Sequence, residues 1–383
     1  MSKKKLFISA LVLLALAALI YLQVRTWRKF DWQKFWDVTR GTSVIYLLTG
    51  TALIYADYFL RAVRWKILLR PVCEAQAARL VAPTMIGFTG LALLGRPGEF
   101  IRPYLIARKE GLSMSSQVAV WTVERIFDSG AFSLIMALNI LIAGPNLKKL
   151  PGFINSPRAF FDFQISGLIL LAGVTMAALF AYSVRKNPAR VAQFSHRLTA
   201  GISERAAKAI SRRVQAFGEG LNTIKDLKSF AQLSGLSLMI WLIIGLSYVA
   251  VTNAYHIHRH AQMTLSNVLL LTAASVVGGV LQLPVVGGGS QLATIGVLHG
   301  VFALSPELST SCGMMLWLVT FMSVIPAGLF LAHREHVSLT RLEEQSEEEI
   351  GLSEHPVTGS SENCSSPNPA SQEQDSGPGK WAN

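Results

Sequence analysis

The chain has 383 residues, of which 51% are hydrophobic and only 15% charged. Soluble domains carry about 25% charged residues, so an ordinary water-soluble globule is excluded. The formal net charge of +12 is unevenly spread: from Arg341 onward nine acidic residues face two basic ones, and the whole basic excess lies before them. No RNA- or DNA-binding module accompanies that excess, so it is assigned to anionic lipid headgroups rather than to nucleic acid.

The first apolar run, 6–24, follows three lysines, Lys3 to Lys5. It is long for the core of a cleaved signal, and "IYLQVRTWRKF" offers no small-residue cleavage site, so it reads as a retained helix. Residues 25–40 are basic but carry Trp27, Phe30, Trp32, Phe35 and Trp36. Aromatics hold a helix at the membrane interface whatever its charge. Next come runs close to the roughly 20 residues that cross a bilayer, at 43–60, 116–143, 165–184, 233–252 and 309–332. Two further runs are interrupted. "LVAPTMIGFTGLALL" (80–94) contains Pro83, Gly87 and Gly90, and 266–304 is broken by "GGVLQLPVVGGGSQ" at 278–291.

Charge decides how 80–94 is placed, because Lys and Arg collect on the cytoplasmic side. Between 185 and 230 there are ten Lys/Arg and three acids. Val191, Phe194, Leu198 and Ile202 recur there at helical spacing, which predicts a basic amphipathic helix on the inner surface. Residues 61–79 are basic as well. If 80–94 crossed, these two basic segments would fall on opposite faces. If it dips in and returns, both stay inside. Irregular backbone at membrane depth is tolerated where it is buried in protein or lines a wet cavity, so 80–105 is expected to be a re-entrant hairpin. Broken segments in both halves of a chain point to a transport site between them.

The expected fold is therefore an all-α polytopic membrane protein. It has about 6–8 transmembrane helices and one or two broken or re-entrant segments, 80–105 and 278–291. The membrane domain is placed at 1–336. The Ser-, Glu- and Pro-rich residues 337–383 have almost nothing to bury and are expected to be a disordered acidic tail, a docking surface for any cytoplasmic protein partner.

Three groups of charges interrupt this apolar chain. "GRPGEFIRPY" (95–104) holds Arg96, Glu99 and Arg102 at three-residue spacing, two guanidinium forks around a carboxylate at the expected turn. Guanidinium suits bidentate phosphate recognition. Pro97 fits the first position of a helix, which would put Glu99 where a carboxylate satisfies orphan N–H groups. "VERIFDSG" holds Glu124, Arg125 and Asp128. A charge near the bilayer centre costs about 2.5–3.5 kcal/mol on insertion scales, so these must turn inward. The third group is Arg61 and Arg64 beside Trp65. For the arginines a plainer reading also fits, as snorkelling anchors and inside markers. Acids have no topological duty, so for Glu99, Glu124 and Asp128 the competing reading is ion pairing that only holds helices together. His256, His258 and His260 have no carboxylate partner for a metal. Cys73, Cys312 and Cys364 give neither metal spacing nor a disulfide framework.

"LRAVRWKILL", "GRPGEFIRPYLI", "VERIFD" and "LPVVGGGSQLATIGVLHG", in this order, resemble the membrane region of lysylphosphatidylglycerol synthases, which also occurs as stand-alone flippase-like proteins. The likeness spans roughly 5–335. It implies a multi-pass protein of the bacterial cytoplasmic membrane, with its C-terminus inside, that moves an aminoacylated or polyprenyl-linked lipid between leaflets without a cofactor. Carried onto this chain, Arg61, Arg64, Arg96, Glu99, Arg102, Glu124, Arg125 and Asp128 would line the headgroup path, with Gly287, Gly288 and Gly289 in the late motif. Two departures stand out. The late motif here has Gln291 and Ala293 where the family often has a glutamate, and no soluble aminoacyl-transferase domain follows. Synthase activity is therefore not implied. The alternative is a membrane scaffold, or an accessory subunit of a lipid-modifying enzyme.

Overall fold

The computed structural model describes residues 30–200, 227–255, 263–279 and 288–335. The expected first span, the three histidines, much of 185–230, Gly287 and the acidic tail lie outside the described residues. Within them all regular structure is helical, and the chain is a multi-pass membrane protein.

Helix α1 (Trp32–Arg40) is capped by Asp31, whose carboxylate accepts from the Lys34 N–H at 3.0 Å. Trp32 and Trp36 are exposed and pack edge-to-face on Phe35. The helix is bent by 75° from α2 (Val44–Leu69), which suits a segment lying along an interface at the foot of a span. Helix α2 runs antiparallel to α9 (Leu227–Ala254), and the Ser43 N–H donates to the Ala254 carbonyl where one begins and the other ends. Tyr255 marks this end of the bundle.

At the opposite end the chain enters α3 (Ala77–Leu94), reverses at Gly95, and returns through a 3-10 turn (Arg96–Phe100) and α4 (Ile101–Glu110). Leu80 and Ile106, near the two feet of this hairpin, share one apolar cluster with Ala62, Trp65 and Leu69. The hairpin thus starts and finishes at the Glu110 end, as a re-entrant segment does. Glycine makes it possible. Gly95 has φ 78°, ψ −147°, a region essentially confined to glycine, and a Cβ on Gly98 would sit 2.3 Å from the Gly90 backbone. Pro83 does not interrupt α3, contrary to the expectation of a broken segment. Proline forfeits a single intrahelical bond, and the surrounding helices hold the segment in place.

Helix α5 (Met114–Leu147) returns to the Tyr255 end. It is followed by the short α6 (Pro151–Asn155), by α7 (Pro157–Lys186) and by α8 (Pro188–Ala200). Then α9 crosses back. A second hairpin, α10 (Leu265–Gly278) and α11 (Gly288–Gly300), begins and ends at the Tyr255 end, where Val268 and Leu298 join Leu147 and Tyr255 in one core cluster. Its arms approach closely at a glycine neck: a Cβ on Gly278 would lie 2.2 Å from the Gly289 carbonyl oxygen. Helix α12 (Pro306–Trp317), a π turn (Leu318–Met322) and α13 (Val324–Arg334) complete the bundle. Lys109 at the foot of α4 meets Glu335 just beyond α13 at 2.5 Å. Two re-entrant hairpins therefore enter from opposite ends. Their inner parts approach where Arg96 Nη2 lies 3.5 Å from the Gly279 carbonyl.

Candidate functional site

The charged residues converge beside the first hairpin. On α2, Asp57, Arg61 and Arg64 fall at i, i+4 and i+7 and share a face. All three are buried. Arg61 Nε donates to Asp57 Oδ2 at 2.8 Å. Arg64 has no exposed surface. Its Nη2 donates to Glu124 Oε1 at 2.6 Å and to Asp128 Oδ2 at 3.1 Å, and its Nη1 to Asp128 Oδ1 and, at 3.0 Å, to Ser237 Oγ of α9. Trp241 Nε1 donates to the Asp128 carbonyl at 3.0 Å and fixes that turn of α5.

From the hairpin, Arg102 reaches the same glutamate, with Nη1 donating to Glu124 Oε1 at 3.2 Å and Nη2 to Oε2. Its guanidinium lies 4.2 Å from the Trp65 ring centre and 5.3 Å from that of Phe88, a stacking that desolvated guanidinium favours. Trp65 is itself fixed by its indole N–H donating to Gln117 Oε1 at 3.2 Å. Gly87 sets the depth of Arg102, since a Cβ there would lie 2.4 Å from the Arg102 Cβ. Every charge here sits against an opposite one, as desolvated ions require.

Arg125 differs. Its side chain is 40% exposed, and its Nη2 lies 3.6 Å from Glu124 Oε2 and 3.5 Å from Asp128 Oδ2. Its Nε is buried with no hydrogen-bond partner. The guanidinium faces a crevice between the hairpin and α5. Helix α3 supplies Gly87, Phe88 and Leu91 to the walls, the returning arm Glu99 and Arg102, and α5 Trp121 and Arg125.

The expected fork of Arg96 and Arg102 around Glu99 is not formed. Arg102 turns inward to Glu124. Glu99 lies in the first turn of the 3-10 segment, 3.7 Å from Arg96, whose side chain is 55% exposed. Gly288 and Gly289 belong to the neck of the second hairpin and stand apart from the ion network. The sequence motifs do not point to Asp57, Ser237 or Gln117. An acid four residues before Arg61, inside an apolar run, was the available signal for Asp57. Among the described residues no group of His, Cys, Asp and Glu is gathered for a metal ion.

Comparison with curated proteins and with solved structures gives no match. The family model described as the lysylphosphatidylglycerol synthase TM region matches residues 7–328, which takes in α1 to α12, both hairpins and every residue of the ion network. By that match the chain belongs to the family of the lysylphosphatidylglycerol synthase transmembrane region.

Proposed function

We propose that the chain moves a phosphate-bearing lipid between the leaflets of the bacterial cytoplasmic membrane, with the headgroup held in the crevice at Arg125. The observation that carries this reading is the guanidinium of Arg125, 40% exposed and facing the crevice beside a buried ion network. Guanidinium suits a phosphate, which it binds through two parallel N–H groups. Two re-entrant hairpins entering from opposite ends support a transport role, since such broken segments line the substrate path in many transporters.

The Glu110 end is assigned to the cytoplasm. Arg70, Arg79, Arg108, Lys109, Lys186, Arg190, Lys228 and Arg334 all cluster there, on the side that positive residues favour. The chain after α13 then starts on the cytoplasmic side. The test is transbilayer movement of a fluorescent phosphatidylglycerol in proteoliposomes. Wild type accelerates it, and Arg125→Ala abolishes the acceleration while the protein stays folded. Equal rates in wild-type and protein-free vesicles would remove the transport reading and leave a membrane scaffold.

A further inference from the structure

Charge balance at the crevice narrows what it accepts. Four guanidinium groups (Arg61, Arg64, Arg102, Arg125) meet three carboxylates (Asp57, Glu124, Asp128) in one connected network. Every carboxylate in it touches a guanidinium. By formal charge the network holds one guanidinium more than carboxylates. Adding the neighbouring Arg96–Glu99 pair leaves that surplus unchanged. Arg102 also lines the crevice but is buried against Glu124, so among the described residues it is Arg125, with 40% of its side chain exposed, that presents this surplus there.

Glu99 stands on the wall of the same crevice, with its side chain 20% exposed. Any anion that settles on Arg125 lies in a crevice with this carboxylate in its wall. One negative charge is neutralised by the surplus. A second meets Glu99, whose carboxylate already engages Arg96 at 3.7 Å, and juxtaposed like charges discriminate between ligands.

We infer that Glu99 is a specificity-determining residue, which makes the crevice a site for headgroups bearing one negative charge, a phosphodiester, and turns away phosphomonoesters and pyrophosphates. The inference rests on the reading of the crevice as a headgroup site, but not on transport.

The test uses the full chain in phosphatidylcholine nanodiscs containing equal amounts of dioleoylphosphatidylglycerol and dioleoylphosphatidic acid. The pH is kept near 8.5, so that the monoester carries more than one negative charge and the phosphodiester one. Native mass spectrometry reads the lipid retained. Wild type retains the phosphodiester over the monoester by about tenfold, the ratio that 1.4 kcal/mol of discrimination produces. Glu99→Gln keeps size and hydrogen bonding, removes the charge, and brings the ratio close to one. Arg125→Ala retains neither lipid above the bulk. Equal retention by wild type, or an unchanged preference in Glu99→Gln, overturns the inference. Selective retention without lipid movement in proteoliposomes would instead leave it standing and remove only the transport reading.

Discussion

Arg64 has no exposed surface and meets Glu124, Asp128 and Ser237. Arg125 touches the same two acids from the crevice side, with 40% of its side chain exposed. Removing one member of a buried ion pair strands the other and costs about 3–5 kcal/mol, whereas exposed pairs contribute about 0–1 kcal/mol. Arg64→Ala is therefore expected to lower the melting temperature in detergent sharply, and Arg125→Ala to leave it nearly unchanged while lipid retention falls. A melting temperature equally depressed by both would show that Arg125 is a structural ion like its neighbours. The sequence revealed that these charges turn inward, because apolar runs make any charge conspicuous. It did not reveal the pairing. Arg64 and Glu124 lie sixty positions apart, and only the packing of α2 against α5 and α9 brings them together. The three-residue spacing of Arg96, Glu99 and Arg102 misled for a physical reason: a 3-10 turn passing into α4 sends Arg102 into the protein and leaves Arg96 and Glu99 outside.

At the scale of the element, the first hairpin depends on backbone meeting backbone. A Cβ at Gly98 would fall 2.3 Å from the carbonyl of Gly90, with no flexible side chain to give way. Overpacking of this kind costs typically 1–3 kcal/mol. Gly98→Ala is expected to spread the arms, displace Arg102 from Glu124 and lower thermal stability together with lipid retention. Gly130, inside α5, has nothing within 4 Å of a built Cβ, and alanine there gains up to about 1 kcal/mol of helix propensity. Measured side by side, the two substitutions should move the melting temperature in opposite directions; a Gly98→Ala protein as stable as wild type would refute the tight neck. Both hairpins were legible in the sequence as apolar runs punctuated by Pro and Gly. The continuity of α3 through Pro83 was not, since proline marks the loss of one hydrogen bond and says nothing about the neighbours that hold the helix.

For the whole molecule, the described helices divide their exposed ends between two faces, and the assignment of those faces is directly measurable. Arg79 stands at the Glu110 end and Lys148 at the Tyr255 end, both accessible. In a chain with Cys73, Cys312 and Cys364 replaced by serine, Arg79→Cys should resist a membrane-impermeant maleimide in intact cells and react once the membrane is opened. Lys148→Cys should react in intact cells. The reverse pattern would invert the assignment while leaving the fold untouched. The alternation of spans was legible because each is a long apolar run. The meeting of Arg96 with Gly279 was not, because 183 residues separate them.

The π turn at Leu318–Met322 sets the angular phase of everything after it. Each residue added to or removed from a helix turns the following side chains by about 100° about its axis, and a π turn holds one residue more than the α-helical count. Downstream, Gly328 presses so closely on Thr89 of the hairpin that a Cβ there would lie 1.8 Å from the threonine hydroxyl. The break itself is accommodated: the Tyr55 hydroxyl donates to the Ser323 carbonyl at 2.8 Å, and Thr89 Oγ1 lies 3.3 Å from that of Val324. Deleting one residue between 318 and 322 would keep the composition of the span almost intact, yet rotate Gly328 off the hairpin and bring a side chain to the contact in its place. The fit of α13 to the first hairpin is thus fixed by counting residues through the π turn.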